Sequence, residues 1–287
     1  MRNRPECPAC NGAGETLFCC DYDQLSGLLS AYYGRSMPTI AGEYHLKRCI
    51  DCNTFWQAQV PRSELLAELY GQWLGEKQPE AVGDPLATRD GHEVLALQSY
   101  FSRKNIRVLD FGMGMAAWAR TALGLGCETY GFDLSGRAMH FASQHGIGPN
   151  HGELDYINME QVLEHLSDPA AQIGRLSSFL AIGGIIKVSV PSPIGVTPGI
   201  AKLKRGVAQH KDIMPIWPLE HLNCFSREGL RKLAGRFGLE PFKPSARHRY
   251  AFLRDGKAGS VKELIRPEYQ WIAPRNIYLW MRKSCEL

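Results

Sequence analysis

The stretch Arg107-Val-Leu-Asp-Phe-Gly-Met-Gly-Met115 constrains this chain more than any other. Ile106 to Phe111 is apolar enough to read as a buried strand, and the glycines after it read as a tight turn into a helix, Ala116 to Leu123. Glycine at 112 and 114 lets the backbone pass close to a bound ligand, where any Cβ would collide. Glu128-Thr-Tyr-Gly-Phe-Asp133 reads as the next strand, closing on an acid about twenty residues after the turn. An acid at that place accepts hydrogen bonds from both hydroxyls of a ribose. Strand, GxG turn, helix, strand and terminal acid make a nucleotide-binding βαβ unit. Alone, they do not separate a nicotinamide dinucleotide from other adenosine ligands.

The rest of the composition admits such a fold. A chain of 287 residues, 44% apolar and 22% charged, suits one large domain or a medium domain with an appendage. No run approaches the roughly eighteen apolar residues of a membrane span. The first residues, MRNRPECPACNGAGE, lack the apolar core of a secretion signal, so a cytoplasmic protein is expected. The net charge of +4 does not by itself imply nucleic acid. It is uneven, however: residues 199–287 hold 18 Lys and Arg against 8 Asp and Glu, leaving the remainder at −6. A basic last third suits an anionic partner as readily as a solvated surface.

Asp110, two residues before the first glycine, narrows the ligand. Val108-Leu109-Asp110-Phe111-Gly112-Met113-Gly114 resembles the first motif of class I S-adenosylmethionine-dependent methyltransferases. The downstream segments match as well. Asp155-Tyr-Ile-Asn-Met-Glu160 and the loop through His165 to Pro169 are similar to that family's fourth strand, and Ala181 to Pro191 to its fifth strand with the Gly-Gly turn before it. The resemblance implies an α/β, doubly wound, Rossmann-like sheet. It also implies that Gly112 and Gly114 line the methionyl arm of S-adenosylmethionine beside Asp110. Asp133 takes the ribose, Leu134 packs on adenine, and Glu160 lies at the cofactor's edge. One departure stands out: only Gly146 to Leu154 separate the second helix from the fourth strand, where the family fits a third strand and another helix. In this sheet order the third strand is an edge, so its shortening spares the core but puts the adenine contact in doubt.

Cysteine usage defines a second module. Six of nine cysteines fall in the first 52 residues, and four of them form two knuckles, Cys7-Pro-Ala-Cys10 and Cys49-Ile-Asp-Cys52. Each knuckle puts two thiolates on one side of a tight loop, and two knuckles complete the S₄ set that zinc prefers. Cys19 and Cys20 are adjacent and make a poorer competing set. Four thiolates leave no open position for water, so a structural Zn²⁺ is expected. The sequence therefore divides into a zinc-binding ribbon over 1–60, a helical connector over 61–105 with a polar stretch at Gly75 to Pro85, and an S-adenosylmethionine-binding domain over 106–287.

A ribbon joined to such a domain is similar to the arrangement in sugar C-methyltransferases, which act on nucleotide-linked deoxysugars. Those enzymes carry a Glu-His pair after the fifth strand, matched here by Glu220-His221. The resemblance implies that His221, assisted by Glu220, removes a proton from the acceptor, with Tyr70 as the contributing tyrosine. No segment here matches those enzymes' further C-terminal domain. The basic run Ile200 to Lys211 is expected to form an amphipathic helix over the site, and Arg247 to Arg254 and Arg275 to Arg282 the last two strands. The expected partner is a small-molecule acceptor, a sugar or other anionic metabolite, and not a membrane. Nucleic acid is disfavoured, because Asn158-Met-Glu-Gln stands where amino-methylating enzymes carry Asn/Asp-Pro-Pro-aromatic. The competing reading is a catalytically inactive relative that uses its ribbon for protein contacts.

Overall fold

The computed structural model describes residues 1–73, 88–149, 152–255, 261–272 and 275–285; the connector Gly75 to Pro85 lies outside the described residues. The chain forms two compact units that do not follow chain order. The first takes Met1–Gly75, Leu163–Ile173 and Val190–Arg236, and the second takes Glu76–Val162, Gly174–Ser189 and Phe237–Leu287.

In the first unit, β1 (Gly14–Asp21), β2 (Glu43–Cys49) and β3 (Phe55–Gln57) form an antiparallel sheet. The short strand Asn223–Cys224 pairs antiparallel with β3, Asn223 standing opposite Trp56. Tyr44 and Leu46 on β2 alternate inward, as a half-buried strand requires. They meet Leu29 of α1 (Ser26–Tyr33) in one apolar core. The basic run from residue 200 is helical as expected, but in two pieces, Val196–Lys204 and His210–Ile213. Val196, Ile200, Leu203 and Ile213 are buried in that same core. A Cβ on Gly199 would stand 2.2 Å from the Asp212 carbonyl oxygen, so only glycine lets the two helices approach this closely. The segment is seated in the core of its unit.

The second unit is built on six strands: β4 (Arg107–Phe111), β5 (Glu128–Phe132), β6 (Leu154–Glu160), β7 (Leu180–Pro191), β8 (Leu239–Pro241) and β9 (Asn276–Lys283). Their order across the sheet is β8-β9-β7-β6-β4-β5. β4 runs parallel to β5 and β6, β6 parallel to β7, and β8 antiparallel to β9. This is a mixed, Rossmann-like α/β sheet. β6 is buried at every position but its last, the signature of a strand covered on both faces. The helix Arg89–Phe101 opens on Thr88, whose hydroxyl accepts from the Gly91 amide, and buries Val94 and Leu97 against the sheet with Trp118, Tyr156 and Trp280.

The shortened third-strand region forms a single parallel bridge, Tyr130 to Gly148. One sequence expectation fails. Arg247 to Arg254 is not a strand: Ala246–Arg249 is α-helical and Ala251–Asp255 is a 3₁₀ turn. Residues 246–254 contain no β-branched side chain, and the Ser245 carbonyl accepts from the amides of His248 and Arg249, which starts a helical turn. The antiparallel ending comes instead from β8, with Leu239 opposite Lys283 of β9.

Candidate functional site

The first candidate region lies in the second unit, where β4 ends. Gly112 has φ +76° and Gly114 φ +52°, conformations that L side chains rarely adopt. A Cβ on Gly112 would also stand 2.3 Å from Val162 Cγ2. The Gly112 amide donates to the Phe132 carbonyl at 2.7 Å, tying the turn to the end of β5. Asp133 then clasps it: Oδ2 accepts from the Gly114 amide at 2.8 Å and Oδ1 from the Ser135 amide at 2.8 Å. Each carboxylate oxygen keeps a lone pair beyond these bonds, so the clasp still has acceptors for two ribose hydroxyls. Leu134, next in sequence, is 82% exposed and presents a free apolar face. The structure places these four residues, named from sequence, at the ends of two neighbouring strands.

Asp110 is different in character. It is buried under the turn, and Asn158 Nδ2 donates to its Oδ1 at 2.8 Å. Burial raises its pKa to about 7, against the lowering pull of Asn158 and Lys187; Glu160 and Asp90 add to the rise. Glu160, at the end of β6, pairs with Arg89 at 2.8 Å and with Lys187 at 3.2 Å. Burial would raise its pKa, but those two cations prevail and lower it. Lys187 itself is 1% exposed, in the middle of β7. Its Nζ lies 2.8 and 2.9 Å from the two carboxylate oxygens of Glu93, which also accepts from Tyr156 at 2.7 Å and Trp118 at 3.1 Å. Sequence reasoning passed over Lys187 and Glu93. The available signal was a lysine inside the apolar run Ile185-Ile-Lys-Val-Ser-Val190. Such a charge, once buried, must be paired.

The second candidate region lies in the first unit. Leu219 turns the chain at φ +70°, a strained value for a non-glycine residue, and Glu220 and His221 follow it. Buried Gln57 pins this loop by donating through Nε2 to the carbonyls of Trp217 at 3.1 Å and His221 at 3.0 Å. Buried Asn223 fixes a second loop, donating to the carbonyls of Leu163, Glu164 and Leu166. Arg4 braces Asn223 through its Oδ1 at 2.8 Å. Together they bring His165 and His221 to a ring separation of 4.8 Å, with the half-exposed Tyr70 ring 6.3 Å from His165. His165 donates from Nδ1 to the Glu220 carbonyl at 3.0 Å, and its Nε2 stands 4.0 Å from the buried Glu164 carboxylate.

The predicted trio of Tyr70, Glu220 and His221 therefore shares one region, but the carboxylate does not serve the imidazole as expected. Glu220 Oε1 accepts from the Tyr33 hydroxyl at 2.7 Å. Burial, and then His165, lower the His221 pKa to about 3, so the ring is neutral at neutral pH. Burial raises the Tyr70 pKa, with help from Glu220 and Glu164, keeping its hydroxyl protonated. Tyr33, Glu164 and His165 complete the cluster. Tyr33 lies 187 positions from Glu220, a distance no local pattern reveals.

The four knuckle cysteines converge in the same unit. Cys7 and Cys52 Sγ stand 3.7 Å apart, Cys10 and Cys49 3.5 Å, and Cys10 and Cys52 3.6 Å. Each knuckle closes through a left-handed asparagine, Asn11 at φ +60° and Asn53 at φ +54°, whose amide returns to the first cysteine's carbonyl. Cys19 lies apart, grouped with Glu43 and His45 at the surface.

A family model described as "Methyltransferase domain" matches residues 86–243. No curated protein matches the chain in sequence. Among solved structures, the chain is similar to a plantazolicin methyltransferase crystallised with S-adenosylhomocysteine and a desmethyl plantazolicin analogue. That likeness has 15% identity and a TM-score of 0.49, and covers 70% of this chain and 85% of that one. It is also similar to the magnesium protoporphyrin IX methyltransferase of Synechocystis with bound S-adenosylhomocysteine, at 16% identity and a TM-score of 0.46, covering 78% and 100%.

Proposed function

The chain belongs to the methyltransferase-domain family, and on that premise we propose that it transfers the methyl group of S-adenosylmethionine to a small-molecule acceptor, a sugar or other anionic metabolite. The observation that carries the reading is the glycine turn clasped by Asp133, which leaves carboxylate lone pairs for a ribose beside two glycines in left-handed geometry. When bound, the cofactor supplies an electrophilic methyl on a sulfonium, so the chemistry asked of the protein is alignment and, for a weakly acidic acceptor, removal of a proton.

Asp133 and the Gly112–Gly114 turn hold the ribose and methionyl arm, Asp110 supports the turn from below, Leu134 covers adenine, and Glu160 borders the cofactor. His221 accepts the acceptor's proton as a neutral imidazole. Its buried Nδ1 makes no hydrogen bond in the protein, so that lone pair is unclaimed by the fold. Glu220, its carboxylate held by the Tyr33 hydroxyl, adds negative charge to the same region. Tyr70 keeps its hydroxyl as a donor toward the acceptor. The Glu-His sequence and its similarity to sugar C-methyltransferases favour nucleotide-linked sugars as the acceptor class.

We also infer that Cys7, Cys10, Cys49 and Cys52 hold one structural Zn²⁺. Zn–S bonds of about 2.3 Å make a tetrahedron with edges of about 3.8 Å. The sulfur separations of 3.5 to 3.7 Å fit that frame.

The test is product formation. The chain is incubated with S-adenosylmethionine and a panel of nucleotide-linked deoxysugars, and S-adenosylhomocysteine and the methylated sugar are measured by mass spectrometry. Equimolar appearance of the two supports the reading. Release with another acceptor class but with no sugar would overturn the sugar assignment, and none with any acceptor would overturn methyl transfer.

A further inference from the structure

Glu164, His165 and His221 offer one ligand atom each, and these atoms lie within 4.8 Å of one another. That is within about 1 Å of the 3–4 Å spacing of ligands around a filled site with bonds near 2.1 Å. The histidine orientations suit this use. The Nδ1–H of His165 is committed to the Glu220 carbonyl, which turns the Nε2 lone pair toward Glu164, 4.0 Å away. The Met214 carbonyl interacts with the His221 ring, while the buried Nδ1 of that ring makes no hydrogen bond in the protein. Histidines that bind metals almost always anchor one ring nitrogen on a carbonyl or carboxylate and present the other to the ion. Here two imidazoles do so around one buried carboxylate, and Gln57 and Asn223 hold the loops that deliver them.

A cation among these atoms would offset the charge of the buried Glu164 carboxylate. We propose that Glu164, His165 and His221 form a binding site for a divalent transition metal of the zinc type, separate from the four cysteines. Two nitrogens and one carboxylate oxygen are the donor set such ions favour, with positions left open for water. His165, whose side chain is 24% exposed, is the side from which the ion enters. A metal on His221 takes the lone pair assigned above to the acceptor's proton, so occupancy of this site switches methyl transfer off. That consequence, unlike the site itself, rests on the base reading of His221.

The experiment loads the full chain with one equivalent of Zn²⁺ to fill the cysteines and then titrates Co²⁺. Cobalt bound by thiolates gives intense charge-transfer absorption, and cobalt bound by two imidazoles and a carboxylate gives only weak d–d bands. The wild type is expected to take a second ion per chain with the weak spectrum. His165→Ala and Glu164→Gln, checked for folding by their zinc-loaded melts, should weaken that second ion at least about 10-fold. One ion per chain in the wild type, or a second ion held equally well by both variants, overturns the site. Turnover of metal-free His221→Gln is measured separately and bears on the base reading alone. A second ion that binds without lowering turnover upholds the site and overturns the switch.

Discussion

The two candidate regions are assembled in opposite ways. The glycine-turn clasp is made from residues 108–135, one strand, one turn and the end of the next strand, and its key bond joins Gly114 to Asp133. The histidine cluster draws on four separate segments, at Tyr33, Tyr70, Glu164-His165 and Glu220-His221, of which Gln57 and Asn223 hold the last two. A site built from contiguous chain is fixed by local backbone geometry. One built from scattered loops depends on the fold of its whole unit, including the cysteine knuckles.

The largest expected effect follows from that dependence. Cys49→Ser, or treatment with a strong chelator, should withdraw from the first unit the binding free energy of the proposed zinc, on the order of 10 kcal/mol. Near-ultraviolet circular dichroism should lose its tertiary signal from Tyr22, Tyr44 and Trp217, while S-adenosylmethionine still binds. Loss of cofactor binding to the same extent would erase the distinction between the two regions.

The next effect is on turnover. His221→Gln should lower methyl transfer about 10²–10⁴-fold with cofactor affinity nearly unchanged. If thermal stability falls instead and turnover per folded molecule is preserved, His221 only pins its loop.

The smallest effect is a pH dependence confined to the clasp. Asp110 titrates near 7 in the folded protein, above its unfolded value near 3.8, so the folded state holds the extra proton between these values. Stability is therefore highest at low pH from this group and falls as pH rises, by about 2 kcal/mol between pH 5 and pH 7. Asp110→Asn should flatten that part of the profile in urea melts. A slope unchanged in the variant would remove Asp110 as its source, and Lys187, Glu160 and Asp90 are the charged neighbours to examine next.

What was legible in the sequence follows the same division. The GxG turn, Asp133 and the strand-helix alternation are local and were read directly, and the shortened third-strand region showed as a length deficit at residues 146–154. The knuckles were legible too, since spacing alone places two thiolates. Tyr33 was not, because nothing near it in sequence indicates that its hydroxyl meets Glu220. Lys187 hid inside a run of strand residues, and its partner Glu93 lies on a helix 94 positions away. The expected partnership of Glu220 with His221 rested on adjacency, yet the Glu220 carboxylate accepts from Tyr33. Residues 247–254 read as a strand but begin as a helix, because the Ser245 carbonyl accepts from the amides of His248 and Arg249.

The central claim is that Asp133 and the glycine turn bind S-adenosylmethionine, and calorimetry on the wild type and Asp133→Ala tests it most directly. The account predicts clear binding by the wild type and a loss of about 1–3 kcal/mol for each ribose hydroxyl left unpaired, hence at least roughly tenfold weaker binding by the variant. Equal affinity in the two proteins, or no binding in either, would contradict it.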